Sequence, residues 1–105
     1  MKTMWIGLVS VRGSRENPIL EGCPGAFVNV LALAEDDKEV IKIVSAEAGE
    51  LGLKVDEIDW IEPLEDRLAK FEIEQYLLEF AEEIREEGGG SRFGIFHAWE
   101  DNEED

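Results

Sequence analysis

The sequence is poor in cysteine and histidine. Its 105 residues include one of each, Cys23 and His97. A single cysteine excludes a disulfide within this chain, so the cross-linked architecture of a small secreted domain is not expected and a reducing, cytoplasmic setting is favoured. A signal peptide is not expected either, because Arg12, Arg15 and Glu16 directly follow the short apolar opening.

Basic residues are also scarce. Against 10 Lys and Arg stand 26 Asp and Glu, a formal net charge of -16. Such a charge repels phosphate backbones and anionic lipid headgroups, so binding to nucleic acid or to a membrane is not expected. The imbalance is uneven, since residues 1–53 hold 8 acids and 5 bases whereas residues 54–105 hold 18 acids and 5 bases. The second half of the chain therefore produces most of the negative field.

The hydrophobic pattern predicts a single α/β domain over residues 1–105. Apolar and β-branched runs predict four strands, and apolar residues at helical spacing predict two helices. The first helix is expected to begin at Asp36 or Asp37 and to end at Gly52, and the second to end before Gly88. The predicted strands are residues 4–11, 26–34, 55–61 and 92–99, and the second helix begins near residue 67 or 71. The expected architecture is an α+β sandwich of order β-β-α-β-α-β, a four-stranded mixed sheet with two helices packed on one face.

Two segments are expected to lie outside these elements. Residues 12–25 contain three glycines and two prolines in fourteen residues, which predicts a loop. A loop of this length is either functional or mobile. Residues 100–105 are predicted to form a solvated acidic tail.

Carboxylates on the second helix are the clearest candidates for a binding site. Spacings of three and four residues bring them together on one side of the helix. With the acids that precede the helix they predict a face that attracts a basic protein partner. The alternative is a solvated surface that only keeps the protein in solution. The candidate residues are Glu62, Glu65, Asp66, Glu79, Glu82, Glu83 and Glu86.

The same carboxylates do not predict a metal site. The sequence has neither a D-x-D-x-D-G loop nor an H-x-x-x-H pair, so no metal and no cofactor is expected.

His97 and Cys23 are the candidates for catalysis. His97 has the one side chain here whose ordinary pKa suits proton transfer near neutrality, and Cys23 lies in the turn-prone run GCPG. The alternatives are a packed, hydrogen-bonded histidine and a small apolar filler. Arg12, Ser14 and Arg15 are candidates for holding a small anion, with an ordinary turn as the alternative.

Three tryptophans fall on three of the four predicted strands, Trp5, Trp60 and Trp99. Large aromatic side chains anchor cores and interfaces alike. If the helices cover one sheet face only, aromatic residues on the other face predict a homodimer or partner surface.

The runs GAFVNVLALAEDDKEV and GLKVDEIDWIEPLEDR carry a resemblance. Over residues 25–67 the chain resembles the strand-helix-strand core of small, acidic, single-domain bacterial proteins of uncharacterised families, some of which look like immunity proteins that neutralise a cognate toxin. Such families share no catalytic signature, so the resemblance implies no site residue.

The function we expect is that of a non-enzymatic acidic binding protein, an immunity-type inhibitor being one concrete form. Two alternatives stay open. One is a small enzyme or ligand-binding domain that uses His97, Cys23 and the loop at residues 12–25. The other is a structural homo-oligomer.

Overall fold

Five strands and three helices make up the fold of residues 2–99, which are the residues that the computed structural model describes. The predicted tail at residues 100–105 lies outside this range. The strands are β1 (Thr3–Gly13), β2 (Gly25–Ala34), β3 (Leu53–Pro63), β4 (Ser91–Phe93) and β5 (His97–Trp99). The helices are α1 (Asp37–Glu50), α2 (Leu64–Lys70) and α3 (Gln75–Glu87). None of these helices has the length and apolar character that crossing a membrane requires.

The sheet is antiparallel. Its order is β3-β1-β2-β4, with β5 also pairing with β2, and every neighbouring pair among the described strands is antiparallel. The α/β class is confirmed, but the prediction of a mixed sheet with four strands is wrong. The strands that α1 connects, β2 and β3, run in the same direction, yet β1 lies between them. They therefore never form the parallel pair that a strand-helix-strand passage suggested.

The helices lie on both faces of the sheet, so the prediction of two helices on one face is also wrong. On one face α1 buries Val40, Val44 and Ala48 against a core that includes Val9 and Val28. On the other face α2 and α3 cover a second core, formed by Met4, Ile6, Leu31, Leu64, Leu77, Ala81 and Ile84. Successive residues of a strand point to opposite faces, and β1 and β2 are apolar on both. A helical layer on each side removes most of this apolar surface from water, although Phe27 on β2 stays 41% exposed.

The predicted second helix is two helices. α2 ends at Lys70, Phe71 is extended with φ −141° and ψ 157°, and α3 begins at Gln75. An unbroken helix over residues 64–87 would be about 36 Å long at about 1.5 Å per residue. A sheet four strands wide measures only about 19 Å across at about 4.8 Å per strand. The break allows α2 to lie over β1 and β3 while α3 lies over β2 and β4.

The start of α1 and the end of α3 lie where the sequence predicts them, whereas α1 ends at Glu50, two residues before the predicted stop at Gly52. Asp36 precedes α1, and its Oδ1 accepts a hydrogen bond from the Glu39 amide at 2.9 Å. α3 ends at Gly88, which has φ 81° and donates its N–H to carbonyls of the last turn. Residues with a positive φ favour glycine, so this stop is encoded locally.

The loop between β1 and β2 packs against the rest of the domain. It contains a 3-10 turn at Pro18–Leu20, and Leu20 is fully buried in the α1-side core. Asn17 caps this turn and donates from its Nδ2 to the Leu51 carbonyl at 2.9 Å. The predicted loop at residues 12–25 is thus shortened by both strands and held by a buried leucine.

We expect the second core to contribute strongly to stability. Ile84→Ala removes a fully buried side chain and should lower the free energy of unfolding by about 2–5 kcal/mol. Ile41→Ala, at a helical position that is 38% exposed, is the matched control and should change it by about 0.5 kcal/mol. Urea denaturation measures both. Equal effects of the two substitutions would contradict the assignment of a core to the α3 side of the sheet.

Candidate protein-binding face

The layer formed by α2 and α3 carries most of the predicted binding residues. Residues 64–87 hold nine acids and three bases, a net charge of -6. Six of the seven predicted carboxylates lie exposed within it, namely Glu65, Asp66, Glu79, Glu82, Glu83 and Glu86. We call the exposed side of this layer the acidic face.

Glu62, the seventh, is engaged by its own chain. It lies near the end of β3, where its Oε1 accepts from Lys70 Nζ at 2.9 Å and its Oε2 from Arg67 Nη1 at 3.1 Å. The hydrogen bond from Lys70 is the largest cause that lowers the pKa of Glu62, and the Arg67 hydrogen bond acts in the same direction against the opposing effect of desolvation. The two ion pairs of Glu62 anchor α2 to β3. Because the Glu62 side chain is only 19% exposed, it is poorly placed to meet a partner.

Arg67 lies between two aromatic rings. Its guanidinium carbon is 3.8 Å from the centroid of the Trp60 ring and 4.2 Å from that of Phe71. A planar guanidinium stacks well on aromatic faces, and here it also neutralises Glu62. The stack holds the segment after α2 close to the sheet.

A concavity of about 240 Å³ adjoins this stack. Its lining includes Ile6, Asn29, Trp60, Arg67 and Ile73. Asn29 donates to the Gly7 carbonyl at 3.3 Å, and Arg67 is bound to Glu62. Asn29 and Arg67 therefore already have partners within the domain, whereas Glu72 and Glu74, which also line the concavity, form no ion pair within residues 2–99.

The carboxylates of α3 are only partly paired. Glu82 Oε2 lies 3.7 Å from Arg85 Nη1, and Glu83 Oε1 lies 3.5 Å from Arg92 Nε. Within residues 2–99 no ion pair engages Glu79 or Glu86. Ion pairs between such exposed side chains contribute little to stability, so an external cation can replace them at little cost. The acidic face therefore offers both unpaired and weakly paired carboxylates to a basic partner.

A groove runs beside these carboxylates, between α2 and α3. Its volume is about 290 Å³. Its apolar residues are Leu64, Leu68, Leu78 and Ala81, and its polar residues are Gln75, Glu79, Glu82 and Arg85. We call it the interhelical groove. The groove is not expected from the sequence, because the second helix is predicted to begin near residue 67 or 71, after Leu64. The four-residue spacing of Leu64 and Leu68 is itself a helical signal.

The candidate anion-binding residues each contact a different part of the chain. Arg12 Nε lies 3.1 Å from Asp56 Oδ2, and the Arg12 guanidinium lies 4.8 Å from the centroid of the Trp99 ring. Ser14 Oγ accepts from the Glu16 amide at 3.1 Å, and Arg15 Nη1 donates to the Gly22 carbonyl at 3.0 Å. The hydrogen bonds of Ser14 and Arg15 lie within the loop between β1 and β2 and stabilise it, whereas the Arg12 ion pair connects β1 to β3.

The two candidate catalytic residues do not form a pair. Cys23 is half-buried after the 3-10 turn, and its amide donates to the Leu20 carbonyl at 2.9 Å. His97 is exposed on β5, opposite Phe27. Phe27 lies four residues beyond Cys23 in the chain. No hydrogen bond connects Cys23 with His97 in the described part of the chain, and no group of His, Cys, Asp and Glu there could hold a metal ion.

The three tryptophans occupy three different environments. Trp5 packs against the α1-side core and donates from its Nε1 to the Ala34 carbonyl at 3.1 Å. Trp60 packs against the second core. Trp99 lies 6.3 Å from Phe27 between ring centroids, and Phe27 is exposed. The homodimer alternative assumed a sheet face without helices, and α2 and α3 cover much of that face.

Comparisons with protein-family models, with curated proteins and with solved structures find no match to this chain.

The ion-pair anchor of α2 predicts a pH effect. The lowered pKa of Glu62 means that its contribution to stability is present above its unfolded-state pKa and is lost as the pH falls through its folded-state pKa. Lys70→Gln removes the largest cause, so the pKa of Glu62 should rise towards its ordinary value. A carboxyl-detected NMR titration measures it. Lys54→Gln, at the far end of β3, is the control, and an unchanged Glu62 titration in the Lys70 variant would contradict the anchor.

Proposed function

We propose that this protein is a non-enzymatic binding protein whose acidic face captures a basic surface of another protein. The observation that carries the proposal is the unequal pairing of charges on α2 and α3. All three bases of residues 64–87 are held by carboxylates of the same domain, Arg67 and Lys70 by Glu62 and Arg85 by Glu82. Glu79 and Glu86 have no such cation within residues 2–99.

Two physical effects support this reading. A concentrated negative field accelerates the encounter with a positively charged protein, most strongly at low salt. Carboxylates without an internal partner lose no existing ion pair when they bind an external Arg or Lys. An arginine is the better counterpart, since its planar fork can bind one carboxylate through two hydrogen bonds.

An immunity-type inhibitor is one concrete form of this function. Such a protein blocks its target by occupying a surface, so it needs a rigid, charged face and no catalytic group. We place the interaction in the cytoplasm, where a single free thiol such as Cys23 stays reduced. The enzyme alternative rests on Cys23 and His97, which make no hydrogen bond to each other in residues 2–99.

Affinity capture from a lysate of the source organism tests the proposal. We expect a basic protein to be retained in a constant ratio at low salt and to be released progressively as the salt concentration rises. The triple variant Glu79→Gln, Glu82→Gln, Glu86→Gln should weaken this binding without unfolding the protein. If the acids form desolvated pairs with the partner, each lost pair should cost about 2–5 kcal/mol.

A charge-matched variant separates a specific face from total charge. Glu16→Gln, Glu35→Gln, Glu50→Gln removes three exposed carboxylates that lie outside α2 and α3. It should retain the partner as the unmodified protein does. Equal loss of binding in both triple variants would mean that only net charge matters, and retention of no specific protein would remove the support for a binding function.

A further inference from the structure

We propose that the interhelical groove is the point at which this face recognises its partner, and that its occupant is a short, basic, amphipathic helix. This inference rests on the proposed function, because it names the shape and chemistry of what the acidic face binds. The groove would supply apolar contacts in addition to the charges of the acidic face. Charge alone would discriminate poorly between one basic partner and another.

The apolar part of the groove has exposed surface to offer. Leu64 and Ala81 are buried at its base, whereas Leu68 is 45% exposed at its side. Leu78 is half-buried and completes the lining from α3. A partner side chain such as leucine would cover the exposed part of Leu68 and would itself leave water.

The charges around the groove specify a basic occupant. Glu79 and Glu82 line it together with Arg85, whose guanidinium is already turned to Glu82. A partner with lysine or arginine beside its apolar residues therefore meets Glu79 at the groove itself. An acidic partner would be repelled by the net charge of -6 over residues 64–87.

A helix is the backbone form that this site accepts. The groove is lined by side chains of two helices, and helices keep their backbone hydrogen bonds to themselves. An extended segment would find no exposed strand edge in that lining, so its N–H and C=O groups would gain no hydrogen bonds to this protein's backbone and would have to stay bound to water. A helix satisfies those groups internally and presents apolar residues on one side at spacings of three and four.

The experiment uses two synthetic peptides of leucine and lysine, each about 14 residues long so that helix formation is feasible. In one the leucines form a single helical face. In the other the same residues are scrambled, so that composition and charge are kept and the apolar face is lost. Isothermal titration gives the affinity of each, and amide chemical shifts of the labelled full chain locate the contact. We expect the amphipathic peptide to bind more tightly and to shift amides of α2 and α3.

Two variants with matched exposure test the groove. Leu68→Ser should weaken binding of the amphipathic peptide roughly tenfold, the loss expected for much of a leucine contact. Leu51→Ser is the control, because Leu51 is 38% exposed and lies outside the groove. It should leave the affinity for the peptide unchanged. Shift mapping on the unmodified protein keeps the test valid if Leu68→Ser perturbs folding.

The possible failures are distinct. Equal binding of both peptides with no effect of Leu68→Ser would overturn the groove inference. If the Glu79, Glu82, Glu86 variant still lost binding in that case, the acidic face would survive as the proposed function. Shifts confined to other parts of the domain, or no binding of either peptide, would likewise overturn the groove, whereas the lysate capture decides the proposed function separately.

Discussion

The central strand β1 must be covered on both faces, and the rest of the fold follows from that requirement. β2 and β3 pair with its two edges over almost its whole length. Its side chains enter both cores, with Met4 and Ile6 on one side of the sheet and Val9 and Val11 on the other. One helical layer would leave half of these residues in water, so the domain has three layers.

The candidate site is a consequence of how the second layer is built. After β3 the chain has to cross the sheet to reach β4 at the opposite edge. It does so with two helices, and the break after Lys70 creates the groove between them. The Glu62 ion pairs and the stacking of Arg67 on Trp60 hold α2 in place. The core buries most of the apolar side chains of both helices, which leaves acidic residues and the exposed part of Leu68 facing solvent.

Local features could be predicted from the sequence, and features that depend on the whole fold could not. The Asp36 cap, the stop at Gly88 and the order of the first four elements, β1, β2, α1 and β3, follow from spacing along the chain. The carboxylates of α3 were predicted on one helix side because their spacing alone places them there. The sheet order depends on which strands meet, and residues 26–34 are apolar on both faces, which was the available signal for two helical layers. Whether Glu62 is free or bound to Lys70 depends on where α2 packs against β3. The packing position of α2 cannot be predicted from the spacing of residues along the chain.

The most direct test of the central claim is hydrogen–deuterium exchange of the protein in complex with the basic protein retained by affinity capture. We expect slower exchange on binding over α2 and α3, Leu64–Lys70 and Gln75–Glu87, with β5 and the Pro18–Leu20 turn unchanged. Protection confined to β5 and that turn, with α2 and α3 exchanging as in the free protein, would contradict it. The partner would then be recognised by the end of the sheet that carries His97 and Trp99.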